Sequence, residues 1–266
     1  MWGYTSALLL ERLRVLLIEN LARLPLTDLY LLYPLLENPE CRRELERLVV
    51  EFLEERDLDE ICELVNSASL YLLTYEIVGG TPPSTRERVS SWILSQKLSD
   101  GGWSWLPKER AEKGEAWCTA LVLAALKASR VNADYEGIVE FLERNWEEEE
   151  WGDNPEVALI YLSYAGYRRD SSLVLRPVER LLGEQLENGA WPGYSDRTRR
   201  GGIFRTCVVL NALASLGFSM EEEAVSKALE FVRSRVGKLL RAEWGGVLVH
   251  ALASLASALL RLGVEE

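Results

Sequence analysis

The sequence predicts an all-α fold assembled from repeated helix pairs, and three observations carry that expectation. Apolar residues recur at i, i+3, i+4 and i+7 along nearly the whole chain, the spacing of one helix face, and strand-like alternation is nearly absent. Clusters such as Gly79-Gly80-Thr81-Pro82-Pro83, Gly101-Gly102 and Gly201-Gly202 punctuate the pattern. A similar segment returns every 40 to 50 residues, starting at 52, 92, 141, 181 and 231, which is the signature of stacked structural repeats.

About twelve helices follow, at roughly 4–23, 26–37, 39–56, 58–78, 83–98, 114–130, 134–146, 154–166, 171–186, 203–217, 220–236 and 244–262. The first is an apolar stretch broken early by Glu11. The third ends on Phe52-Leu53-Glu54-Glu55-Arg56, and Asp57 opens the fourth, which runs to Gly79. The fifth ends on Trp92-Ile93-Leu94-Ser95-Gln96. The sixth carries Cys118-Thr119-Ala120-Leu121-Val122-Leu123-Ala124-Ala125-Leu126. Phe141-Leu142-Glu143-Arg144-Asn145 and Leu181-Leu182-Gly183-Glu184-Gln185 close the seventh and ninth. Cys207-Val208-Val209-Leu210-Asn211-Ala212-Leu213 fills the tenth. Phe231-Val232-Arg233-Ser234-Arg235 closes the eleventh, and His250-Ala251-Leu252-Ala253-Ser254-Leu255 lies in the twelfth. Within a pair the first helix is rich in charge, as an outer helix should be, and the second is apolar nearly all round. An inner helix of that kind cannot be buried by its own repeat, so neighbours must stack. Periodicity alone leaves an open solenoid and a closed ring as alternatives.

The bulk properties fit one domain spanning 1–266. The hydrophobic fraction is 48% and the charged fraction 27%, ordinary for a globular protein. The net charge of −12 disfavours nucleic acid as a partner. Four cysteines, none in a Cys-x-x-Cys pair, read as reduced thiols of a cytoplasmic protein. No basic leader precedes the first apolar stretch, and no apolar run reaches the ~20 residues of a membrane span.

Two loops narrow the architecture. One reads Trp92-Ile93-Leu94-Ser95-Gln96-Lys97-Leu98-Ser99-Asp100-Gly101-Gly102-Trp103, the other Leu181-Leu182-Gly183-Glu184-Gln185-Leu186-Glu187-Asn188-Gly189-Ala190-Trp191. Both resemble the QW motif of the squalene–hopene cyclase family, and Gln96 and Gln185 are the only two Gln residues in the chain. Degenerate versions end at Trp151 and Trp244. The resemblance places the chain beside terpene cyclases and protein prenyltransferases. It implies an (α/α)6 toroid, inner and outer helices alternating, around an apolar central cavity. In this motif the Gln amide would bond backbone groups at a helix end while Trp packs over the joint, so these residues are expected to be structural.

The same resemblance directs attention to the N-terminal ends of the inner helices. Class II cyclases carry Asp-x-Asp-Asp there, the middle Asp protonating an alkene from an apolar pocket. Asp57-Leu58-Asp59-Glu60 is the nearest match, with Asp59 as donor, Asp57 beside it and Glu60 departing from the pattern. The structural alternative is that Asp57 caps the helix and the other acids favour its dipole. Prenyltransferases hold zinc with Asp-x-Cys and a His on the next inner helix. Cys207 and His250 fall near those positions, but Arg205 replaces the Asp, so zinc is not expected. Arg197, Arg199, Arg200 and Arg205 cluster in an acidic chain and would suit a prenyl diphosphate, with Mg2+ as a counter-ion to it. The alternative is a solvated loop paired with acids such as Asp196. Trp117, Tyr71, Tyr75, Tyr161, Tyr164 and Phe204 could line an isoprenoid cavity with π faces, although aromatics at helical spacing also serve as plain core.

Three functions are therefore expected in turn. The first is an isoprenoid-binding toroid, a transferase or cyclase relative without the usual metal site. The second is a class II cyclase-like enzyme using Asp59. The third is a non-catalytic scaffold that uses the toroid as a binding surface for another protein, a reading that a filled centre would favour. A helical protein partner is compatible with the first and the last.

Overall fold

The computed structural model describes residues 2–147, 155–193, 202–241, 243 and 247–264, the side chains of residues 2–6, 40, 44 and 147 excepted. The chain runs through α1 (Trp2–Asn20), a short 3₁₀ turn at Leu21–Arg23, and a 3₁₀ segment at Leu26–Leu32 that continues into α2 (Tyr33–Glu37). There follow α3 (Pro39–Glu54), α4 (Leu58–Ile61), α5 (Val65–Val78), α6 (Pro83–Ser95), α7 (Ala116–Ala128) and α8 (Tyr135–Glu147). The last are α9 (Pro155–Tyr164), α10 (Ser172–Gly183), α11 (Ile203–Leu216), α12 (Glu223–Arg233), α13 (Val236–Leu239) and α14 (Val247–Arg261). Among the described residues there is no strand.

The expected toroid is present, and it closes. The six inner elements are the Leu26–Leu32/α2 unit, α5, α7, α9, α11 and α14. Each packs on the next, and α14 returns to pack on the first. The outer helices α1, α3, α6, α8, α10 and α12 lean on this ring. Chemistry explains the division. In α10 the buried residues are Leu173, Val174, Pro177, Val178 and Leu181, one stripe at helical spacing. In α7 every residue from Cys118 to Leu126 is buried, because that helix has neighbours on all sides. Burying one such large apolar side chain contributes about 1.5–3 kcal/mol.

The two Gln–Trp loops are built alike. Trp103 and Trp191 are 1% and 0% exposed. Their indole N–H groups donate back into the outer helix, to Ile93 O at 2.7 Å and Leu181 O at 2.6 Å. Their backbone N–H groups donate to Thr119 Oγ1 and Thr206 Oγ1 on the following inner helix. Gln185 donates to Ala224 O, reaching the next repeat, while Gln96 Oε1 accepts from Lys108 N. Trp151 and Trp244 lie outside the described residues.

Two expected helices differ. The segment expected as one helix at 58–78 breaks into α4 and α5. Asp57 Oδ1 accepts from Asp59 N and starts α4, which ends within a turn. Leu64 is then extended, and the first N–H of α5, at Val65, is satisfied by Trp105 O from the neighbouring loop. The inner helix therefore begins at Val65, beyond the acidic motif. The segment expected at 26–37 is 3₁₀ before it becomes α-helical, with Pro34 at the first turn of α2.

Candidate functional site

The bore of the toroid is not filled. It holds a cavity of about 290 Å3, lined from all six inner elements. Trp117, Phe204 and His250 stand near the helix starts, Ile160 and Tyr161 along the wall, and Tyr33, Tyr164 and Ser257 at the deep end. Of the expected cavity residues, Trp117, Tyr161, Tyr164, Phe204 and His250 line it. Tyr71, Tyr75 and Cys207 do not. The Tyr71 hydroxyl donates to Leu53 O and that of Tyr75 to Glu54 Oε1, so both turn outward against α3. Cys207 is fully buried in the wall, where burial pushes its thiol far up.

Among the described residues one acid reaches the cavity, and it is not the expected one. Asp28, on the 3₁₀ segment, lines the pocket beside His250. Burial raises its carboxyl above the ordinary range, partly offset by His250. Burial lowers His250, with Asp28 opposing. The Tyr30 hydroxyl is hydrogen-bonded to His250 Nδ1, and burial together with Asp28 keeps that phenol protonated. Phe204 packs edge-on to the His250 ring at 6.4 Å between centroids. No hydrogen bond joins the Asp28 side chain to another described residue, and Asn211 Oδ1, also on the lining, is buried without a donor among them.

Three expectations about ionic residues need correction. Asp59 is no cavity acid: its side chain is 83% exposed and paired with Arg88 at 2.5 Å, because α4 leaves it outside the ring. Asp57 is the cap of α4. Arg205 is no open diphosphate ligand: it bridges Glu156 at 3.2 Å and Glu184 at 2.6 Å, tying α9, α10 and α11 together. Glu156 is fully buried, so this pair satisfies a charge that could not otherwise stay inside. Arg197, Arg199 and Arg200 lie outside the described residues. Among the described residues no three His, Cys, Asp or Glu side chains gather as a metal ion would need. Among the described residues, too, no helix is long and apolar enough to cross a membrane.

No protein-family model matches the chain, and no curated protein does. Solved structures do. One is an Asp-to-Asn variant of the type II terpene cyclase MstE from Scytonema, in complex with its substrate geranylgeranyl dihydroxybenzoate. The superposition has a TM-score of 0.68 at 13% identity and covers 100% of this chain and 99% of that one. The chain thus shares the helical toroid of a terpene cyclase along its whole length.

Proposed function

We propose that the chain is a terpene cyclase-like protein that binds an isoprenoid in the bore of its toroid. The observation that carries this reading is the cavity itself, about 290 Å3 and walled by Tyr33, Trp117, Tyr161, Tyr164 and Phe204. A protein centre left open costs packing contacts unless something fills it. A prenyl chain suits a wall of aromatic faces, and the open bore speaks against the scaffold reading. Arg197, Arg199 and Arg200 are the residues we assign to a diphosphate head group, on sequence grounds. The test is thermal stability with prenyl diphosphates, matching alcohols and pyrophosphate. A ligand at 100 times its Kd adds about 2.7 kcal/mol, a rise on the order of 5–10 °C. No rise with any prenyl compound removes the proposal.

A cyclase activity is the sharper form of this reading, and Asp28 favours it. The carboxyl is the acid of the cavity, and burial holds it towards its neutral form. Its O–H would give the proton to the CH carbon of the terminal (CH3)2C=CH alkene of a prenyl chain, forming a C–H bond at the expense of the π bond. A tertiary carbocation remains, faced by aromatic rings. The next alkene closes the ring, and loss of a proton from the product restores neutrality. His250, held by its hydrogen bond to Tyr30 and interacting electrostatically with Asp28, would steady the carboxylate left behind.

A further inference from the structure

The bore of the toroid has a floor, and it is built from opposite walls. The Leu26–Leu32/α2 unit is the first inner element and α9 the fourth of six, so they face each other across the axis. Tyr164, the last residue of α9, donates its hydroxyl to Glu37 Oε1 at 2.5 Å, at the end of α2. A hydrogen bond between opposite walls must cross the bore. Arg261 of α14 locks it, bonding Glu37 Oε1 at 2.6 Å and the Tyr164 oxygen at 2.9 Å, with its guanidinium 5.2 Å from the Tyr164 ring centroid. Ser257 donates to Glu37 Oε2 at 3.4 Å, and the Tyr33 ring packs edge-on to that of Tyr164 at 5.2 Å.

Beyond this floor lies a second hollow of about 470 Å3, lined by Leu73, Ile77, Ala128, Tyr164 and the charged residues Glu76, Arg86 and Arg130. Tyr164 is the one residue that lines both spaces. Helix α5 shows how they are stacked. Its Asn66 and Leu70 line the cavity, while Leu73 and Ile77, one and two turns further on, line the second hollow. The Tyr164 ring therefore stands between the cavity and a second hollow lying further along the α5–α7 side of the bore.

We infer that Tyr164, held by Glu37 and Arg261, sets the length of the chain the bore accepts, and that the ligand is a short isoprenoid. This rests on the isoprenoid reading above. At close-packed density a prenyl unit occupies roughly 100 Å3, so the cavity holds two to three units, a tail of about 10–15 carbons. A longer tail meets the ring and the half-buried Glu37–Arg261 ion pair behind it.

The experiment measures binding of prenyl alcohols of 10, 15 and 20 carbons to the full chain, by thermal shift and by titration. Wild type should bind the two shorter alcohols and respond at least about tenfold more weakly to the 20-carbon one. Tyr164→Phe keeps the ring and should keep the limit. Tyr164→Ala joins the two hollows and should accept the 20-carbon alcohol at least as well as the 15-carbon one. Because that variant removes a buried ring and could fail to fold, Ala253→Phe gives the opposite arm: it fills the bore one turn above Ser257 and should lose the 15-carbon ligand while keeping the 10-carbon one. If wild type binds all three lengths equally, or a folded Tyr164→Ala keeps the wild-type limit, Tyr164 is not the partition and this inference fails while the isoprenoid reading stands. If no prenyl compound binds any of these proteins, the isoprenoid reading fails and takes this one with it.

Discussion

Asp28 is the residue on which the proposed chemistry turns. Its side chain has no hydrogen bond to another described residue, so Asp28→Asn should leave the melting temperature within a few degrees while abolishing cyclisation, read by product formation from a prenyl substrate. Turnover retained in that variant would remove the acid assignment. His250 adds a pH dependence. Burial holds the folded imidazole below its ordinary value of about 6.5, so the unfolded chain takes up a proton first as pH falls. Stability is lost from about pH 6.5 downwards, by up to about 1.4 kcal/mol per pH unit, until the folded imidazole protonates as well. The raised Asp28 carboxyl works the other way: its contribution is present below the ordinary carboxylate range and is lost as pH rises through the folded value. Thermal melts between pH 7.5 and 5.5 should therefore fall more steeply for wild type than for His250→Asn, and equal slopes would contradict the burial argument. The sequence exposed these residues unevenly. His250 and Trp117 stood out as a lone His and an aromatic at helix starts. Tyr71 and Tyr75 were misassigned because an all-apolar helix carries no phase: they lie about 100° and about 140° round α5 from the cavity-facing Leu70. Asp28 was overlooked, although an acid inside the apolar run from Leu24 to Leu36 was a signal.

At the scale of the element, the Gln–Trp loops hold consecutive repeats together. Each Trp ties an outer helix to the next inner one through two hydrogen bonds and a fully buried ring. Trp191→Ala should cost about 3–5 kcal/mol, lowering the melting temperature by roughly 10 °C or more. A loss of only a degree or two would mean the loops are not joints. Helix ends supply a stabilising test. Inner helix α11 stops on Gly217 at φ 95°, whose N–H bonds Ala214 O while Phe218 N bonds Leu213 O. Helix α7 stops the same way, with Arg130 N on Lys127 O and Val131 N on Leu126 O, but Arg130 sits at φ 54°. Arg130→Gly should therefore stabilise the protein by about 1 kcal/mol, measured by denaturant unfolding. These loops were the legible part of the sequence, because a Gly-x-Trp at a repeat joint demands its own geometry. The break between α4 and α5 was not legible: it depends on Trp105 O reaching Val65 N across 40 residues of sequence. That one contact moves the acidic motif off the bore and separates the expected acid from the observed one.

For the whole molecule, the central fact is a closed ring of six inner elements around an open centre. Closure did not follow from periodicity, which fits a solenoid equally well. It depends on contacts between α14 and the first inner unit, far apart in the chain, and is sealed at the floor by Arg261 on Glu37. The bore then has Trp117, Phe204 and His250 near the helix starts, an acid at Asp28 and a floor at Tyr164. The most direct test is a crystal structure of the protein soaked with a 15-carbon prenyl alcohol. The account predicts density for the chain along the bore, its tail against Tyr164 and an alkene beside Asp28. A bore left empty at saturating ligand, or a ligand bound outside it, would contradict the account.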